Sequence, residues 1–334
     1  MGDALYIGID YHQYSLQVCG LDAKGGVAFN RRCDNNIADI LATVGPRVAE
    51  AAIEASCGAS DLAEQLAQAG WSISLAHPGY VARIRQSPDK TDFSDARLLA
   101  DLTRVGYLPR VWLAPTAVRE LRLLIRERQS LAEERRRIKQ RIRATLREQR
   151  QRVQLRAWTR AWLAWLREHA ELSTEARWVI ERRLMHLERI ATEIAVVEAR
   201  LRERTADDRI VAALLAQPGI GEVTAWTLRA EIGRFDRFRT GKQLARFCGL
   251  SPRNASSGER TADAGMIKAG RPELRAIIVE AAHRLSIHHP RWRAFRARLA
   301  ARGKPGAVIA AAIANRWVRG LVHLMREEIK PMAA

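Results

Sequence analysis

The chain has 334 residues, with 56 Lys and Arg against 37 Asp and Glu, a formal charge of +19. That length holds two or three domains with separate cores, and a charge excess that is mostly arginine points to a polyanionic partner. No apolar run approaches the roughly 20 residues of a spanning helix, and four isolated cysteines without a Cys-x-x-Cys pair exclude a zinc or disulfide framework.

Cys19, Cys33, Cys57 and Cys248 therefore read as reduced core residues of a cytoplasmic protein. Met1-Gly2-Asp3 leads straight into strand-like residues, so neither a secretory leader nor a membrane partner is expected.

Residues 4–10 form a short apolar run that ends in Asp10, the pattern of a buried central strand. Residues 16–21 alternate, and Lys24-Gly25-Gly26 turns them into a second strand from Val27, so a hairpin leads out of the first strand. Asn35 or Asn36 caps a helix carrying Ile37, Ile40, Leu41 and Val44. A strand over 50–54 ends in Glu54, a capped helix starts at Ser60-Asp61, and a last strand spans 71–76 before His77-Pro78-Gly79 breaks it. The order is three strands, helix, strand, helix, strand, helix.

That final helix opens with Asp92 and Asp95, which share a face three residues apart. One reading makes them ordinary first-turn residues, with Asp92 or Ser94 capping and Asp95 favouring the positive helix end. The other gathers them with Asp10 and Glu54 beyond the carboxyl ends of the strands, where open α/β sheets place their functional groups. Four carboxylates on one patch suit a two-metal site for phosphodiester chemistry, with oxygen ligands for Mg²⁺. His12 and His77 lie near this patch as surface hydrogen-bonders or as contacts to phosphate or metal. Arg83, Arg85 and Lys90 precede the pair, on a solvated loop or along an approach path for a phosphate backbone.

From Pro115 the pattern becomes helical, through Val118, Leu121, Leu124, Ile125, Leu131, Ile138, Ile142 and Leu146, then Ile180 to Leu201. A break at Leu172-Ser173-Thr174, with Ser173 or Thr174 as cap, predicts two long antiparallel helices forming a coiled-coil arm. Arg135 to Arg150 either solvates the arm or contacts nucleic acid. Trp158, Trp162, Trp165 and Trp178 either pack its tip or stack on bases.

Pro218-Gly219-Ile220-Gly221 joins two further helical runs, as a phosphate-binding helix-hairpin-helix or an ordinary connection. Residues 247–260 carry Gly249-Leu250-Ser251-Pro252 and Ser256-Ser257-Gly258, an irregular stretch flanked by arginines, and Ile267-Lys268 and Arg271 add cations before a helix. A serine among such cations can attack a phosphodiester.

Gly8-Ile9-Asp10, Ile53-Glu54-Ala55-Ser56 and Lys90-Thr91-Asp92-x-x-Asp95-Ala96 resemble the DEDD motifs of insertion-sequence 110 family transposases. Gly249-Leu-x-Pro, Ser257-Gly258 and Ile267-Lys268-x-Gly270 with Leu274-Arg275 are similar to the family's C-terminal signature. The resemblance implies an α/β plus all-α chain: a RuvC-like, ribonuclease H-fold domain over 1–112, the coiled-coil arm over 113–206 and a helical transposase domain over 207–334. It further implies Asp10, Glu54, Asp92 and Asp95 as the Mg²⁺-binding tetrad and Ser257 as nucleophile, with Ser256 one place earlier as its rival. Double-stranded DNA, a guiding bridge RNA and assembly as dimers or tetramers come with the family. Gly270-Arg271-Pro272 stands where the family usually has Gly-Asn.

Three other activities fit parts of the pattern. A Holliday-junction-type endonuclease needs the carboxylates and no serine. A sugar-kinase-type phosphotransferase shares Gly-Ile-Asp, but the chain has no second Gly-rich phosphate loop. A coiled-coil scaffold needs neither site.

Overall fold

A computed structural model describes residues 5–45, 48–84, 91–254 and 263–329. The chain divides into two compact units, Met1–Pro115 and Thr116–Ala334.

In the first unit β1 (Leu5–Tyr11), β2 (Ser15–Leu21) and β3 (Val27–Asp34) form an antiparallel meander. Helix α1 (Ile37–Val44) follows, with the Asn36 side chain accepting from the Asp39 amide. Next come β4 (Val48–Glu54), α2 (Ala59–Gln68), β5 (Ile73–Ala76), α3 (Pro78–Ile84), α4 (Asp92–Arg104) and β6 (Arg110–Val111). The sheet order is β3-β2-β1-β4-β5-β6, with β4 parallel to β1 and β5 parallel to β4. Parallel neighbours require crossovers, which α1 and α2 supply.

Strand alternation sorts the core into two layers. Ile7, Ile9 and Ile53 pack with Ile40, Leu62 and Leu66 of α1 and α2. The opposite face carries Gly8, Asp10, Ala52 and Glu54. There Ala52 joins Val81 and Leu99, while Cys19 and Leu21 meet Ala96 and Ala100 of α4. Gly8 permits this approach, because a Cβ on it would lie 2.0 Å from the Ala96 carbonyl oxygen.

The second unit begins with α5 (Thr116–Glu148, 33 residues), a span of about 50 Å. Helices α6 (Arg160–Glu168) and α7 (Thr174–Arg204) follow. Arg204 to Glu120, Arg128 to Glu198 and Arg183 to Thr145 pair in opposite sequence directions, so α5 and α7 run antiparallel. Leu131, Ile138, Ile142 and Leu146 meet Ile180, Leu184, Ile190 and Ile194 between them, with Trp162 and Leu166 of α6 in the same cluster. Next come α8 (Arg209–Leu215), α9 (Glu222–Ile232), α10 (Gly241–Phe247), β7 (Pro252–Asn254), β8 (Asp263–Met266), α11 (Pro272–His288), α12 (Pro290–Ala300) and α13 (Gly306–Ile329). Trp226, Phe235, Leu244, Ile278 and Ile313 lie in their shared core. Among the described residues no helix is long and apolar enough to cross a membrane.

Several details differ from the reading of the sequence. The first long helix ends at Glu148 rather than near Leu172, because Arg150 takes a left-handed conformation at φ 52°. The Gln151 amide donates to the Leu146 carbonyl there, a Schellman-type stop made without glycine. Pro78 starts α3 instead of merely ending β5, since its missing N–H costs nothing at a helix's first position. Helix α2 starts at Ala59 behind Gly58, whose φ of 87° suits no side-chain cap, rather than at a capped Ser60. Cys57 is exposed and not a core residue. Burial pushes the Cys19 and Cys248 thiols up to about 11 and about 12, which keeps both inert.

Candidate metal centre

Asp10 stands near the end of β1, on the face that α4 covers. Ile9 pairs with Ile53 in the parallel β1–β4 register, so Glu54 is the next residue of the neighbouring strand, on that same face. Helix α4 brings its first turn here. Thr91 caps it, its hydroxyl accepting from the Ser94 amide while the Ser94 hydroxyl accepts from the Thr91 amide. Neither Asp92 nor Ser94 is the cap residue; Thr91 is, and both aspartates stand in the first turn behind it. The positive helix end favours negative charge there.

His12 lies between the strands and the helix. Its Nε2 is 3.3 Å from Asp10 Oδ2 and 3.3 Å from Asp92 Oδ1. One ligand atom from each of Asp10, His12 and Asp92 falls within 4.8 Å of the others. Asp95 is buried at 5% exposure beside them. Burial is the largest influence on Asp10 and raises its carboxyl above the ordinary 3.8; His12 opposes the rise, and the Asp95 and Asp92 charges add to it. Asp10 is thus a carboxylate that is costly to ionise without a neighbouring cation. Oxygen donors converging in this way fit a hard divalent ion.

The structure therefore brings Asp10, Asp92 and Asp95 together and sets Glu54 on the adjacent strand. His77 is not in the group; its ring stacks edge-on with Tyr80 at 4.8 Å, and its amide donates to the Pro109 carbonyl. The sequence reading left His12 undecided, and its position two residues beyond Asp10 was the signal available. Arg85 and Lys90 lie outside the described residues, while Arg83 lies in the last turn of α3, over the Tyr80 ring.

Ser256 and Ser257 also lie outside the described residues, but the frame that flanks them does not. Strands β7 and β8 pair antiparallel, Pro252 with Met266 and Asn254 with Asp263. The Ile267 amide donates to the Ser251 carbonyl. Behind the hairpin, Gly249 and Gly270 form a backbone clasp. A Cβ on Gly249 would come within 2.3 Å of the Ala269 carbonyl oxygen, and one on Gly270 within 2.3 Å of the Phe247 carbonyl oxygen. Both glycines have φ of 69°, so each is required twice over. Nearby, Glu231 is buried and takes Arg126 at 3.2 Å and Arg271 at 3.5 Å. Burial, and next the Arg122 charge, push Arg237 down to about 10. At the turn between α8 and α9, Glu222 heads α9 and is held by Arg202 at 2.7 Å.

Comparison with known proteins bears on both regions. Residues 7–150 match a family described as a transposase, of the DEDD type of IS110 elements. Residues 211–297 match the family described as "Transposase IS116/IS110/IS902 family". The chain is 26% identical over 283 residues to the transposase for insertion sequence element IS1328 of Yersinia enterocolitica, covering 84% of each chain. It is 26% identical over 292 residues to the transposase for IS1111A of Coxiella burnetii, covering 86% of this chain and 79% of the relative. Between them the two family matches take up more than half of the chain, which belongs to the IS110 family of insertion-sequence transposases, DNA recombinases by activity.

Proposed function

We propose that Asp10, Glu54, Asp92 and Asp95 hold Mg²⁺ and that the protein cuts and rejoins DNA strands with Ser257 as nucleophile. The observation that carries this reading is the convergence of Asp10 and Asp92 on one point, with His12 between them. The sheet order, three antiparallel strands followed by two parallel ones, supports a RuvC-like ribonuclease H fold for the first unit. A DEDD transposase implies a divalent metal, and the oxygen-rich donor set here favours Mg²⁺ over softer ions. When bound, such an ion lowers the charge on phosphate oxygens. This chain's own part is to fix the carboxylates: β1 and β4 set Asp10 and Glu54 side by side, and the Thr91 cap sets the first turn of α4.

On this reading the Ser257 hydroxyl attacks a phosphodiester, forming a serine–phosphate ester and releasing a sugar hydroxyl that takes the proton. Cations in and beside the β7–β8 pair, Arg253 and Lys268 among them, offset charge on phosphorus. A bridge RNA would supply target choice by base pairing, and the antiparallel α5–α7 pair would serve as the coiled-coil arm of a dimer or tetramer, acting on DNA in the bacterial cytoplasm.

The test is strand cleavage and transfer with cognate element ends and co-purifying RNA in Mg²⁺. Asp10→Asn and Ser257→Ala should each abolish transfer, and the serine variant should form no covalent protein–DNA adduct. A variant with both Ser256 and Ser257 changed to Ala that still cuts four-way junctions would instead favour a metal-dependent endonuclease of the Holliday-junction type.

A further inference from the structure

Helix α5 carries a ridge that the proposed chemistry leaves unexplained. Arg135, Lys139, Arg143 and Arg147 recur at every fourth position, so they follow one another along the helix about 6 Å apart. Like charges at this spacing repel and weaken a helix. A helix that needed only solubility would interleave glutamates, as α5 does earlier, where Glu133 takes both Arg136 and Arg137. Among the described residues none of the four ridge cations has a carboxylate partner in a salt bridge. Burial and the Arg135 charge hold the Lys139 ammonium below its ordinary value. The cations are therefore crowded in a way that an anion would relieve.

Two surface hollows follow this ridge. One of about 450 Å³ is lined by Arg135, Arg136, Lys139, Gln140, Arg143 and Trp158. The next, of about 560 Å³, is lined by Arg137, Gln140, Arg141, Arg143 and Arg147 with Ala144. They share Gln140 and Arg143, and neither lining contains an acidic residue. Trp158 closes the first hollow in a left-handed backbone conformation, φ 70°, which is unfavourable for a bulky side chain. Its ring lies 4.7 Å from that of Trp162, and Lys139 Nζ stands 4.8 Å from its centroid.

We infer that this face of α5 is a binding track for single-stranded nucleic acid, with the phosphates along Arg135, Lys139, Arg143 and Arg147 and a base against Trp158. A row of cations ending on an aromatic ring is the arrangement that holds unpaired strands, because the ring needs a base face that a duplex keeps stacked. From Arg135 to Arg147 the ridge runs about 18 Å, with a cation about every 6 Å to meet successive phosphates. Lys139 ties backbone and base together, since it reaches the ring and belongs to the ridge. The track uses no residue of the carboxylate centre, so its failure and that of the metal site are separable.

Fluorescence anisotropy on the full chain, with labelled 12-nucleotide single strands of RNA and of DNA and a 12-base-pair duplex, tests the assignment across a salt series. Both single strands should bind more tightly than the duplex, and the tighter of the two identifies the source. Replacing all four ridge cations with Gln should flatten the slope of log K against log salt by about 2.8, four contacts at about 0.7 each. Trp158→Ala should weaken single-strand binding roughly tenfold, and Trp158→Phe should restore most of it. Circular dichroism of each variant checks that the helices persist. An unchanged salt slope in the four-Gln variant, equal loss of duplex and single-strand binding, or a Trp158→Ala variant that binds normally would each overturn the track.

Discussion

Gly8 of β1 and Ala96 of α4 touch backbone to side-chain-free backbone: a Cβ on Gly8 would stand 2.0 Å from the Ala96 carbonyl oxygen and 2.4 Å from the Ala100 amide nitrogen. Two positions along the same strand lies Asp10, and one turn back along the helix lies Asp92. The closeness that glycine allows is what lets a strand carboxylate and a helix carboxylate face one point. Gly8→Ala has no flexible neighbour to displace, so α4 must move. Thermal or urea unfolding should show a loss of about 1–3 kcal/mol, and strand transfer should fall further than the stability loss accounts for.

The acid–base behaviour of Asp10 gives a second expectation. Its carboxyl is raised above 3.8 chiefly by burial. A folded-state value above the unfolded one means the folded protein holds this proton more tightly. The group therefore favours folding at pH below 3.8, and that benefit is lost as pH rises through the folded value. At neutral pH without metal, Asp10→Asn should be more stable than wild type, and the difference should vanish below pH 3.8. Adding Mg²⁺ at neutral pH should reverse the order, because only the carboxylate gains a cation. Denaturation midpoints at pH 3.5 and pH 7.5, with and without Mg²⁺, measure all of this.

His12 separates metals by their donors. Its nitrogen lies as close to Asp10 as to Asp92, yet Mg²⁺ takes oxygen in preference to imidazole. His12→Ala should leave Mg²⁺-supported cleavage within about tenfold of wild type, since the oxygens remain. Mn²⁺, which accepts imidazole more readily, should lose more affinity in the same variant. Parallel titrations of the two ions read the difference.

At the end of α5 an arginine occupies a place that favours glycine. Arg150 has φ of 52°, and the hydrogen bonds around it close the helix. Arg150→Gly should stabilise the second unit by about 0.5–1 kcal/mol, through relief of the left-handed conformation. A higher unfolding midpoint at unchanged denaturant slope would record it.

Much of the first unit was legible because burial there follows strand and helix periods. Ile7, Ile9 and Ile53 alternate with Gly8, Asp10, Ala52 and Glu54, and this alternation alone puts the acidic residues on one face. Asp92 and Asp95 were legible as a pair, but their cap was not, since Thr91 and Ser94 close the box by geometry that composition does not reveal. The end of α5 was illegible for a physical reason: no Gly or Pro marks it, and Arg150 bears the strain in their place. The centre's histidine was visible only as a residue near a strand end, because the helix that completes its surroundings arrives some eighty residues later. Of the tryptophans, Trp162 is buried and Trp178 is 59% exposed, a split that depends on α6 folding against the α5–α7 pair.

The mutual fit of Gly249 and Gly270 has a topological consequence. Because the backbone at Gly249 is seated on Ala269 and that at Gly270 on Phe247, the end of α10 and the start of α11 are held directly against one another. A protease cut anywhere in 255–262 would sever the polypeptide without parting its halves, which should migrate as one particle on a native gel and as two only after denaturation.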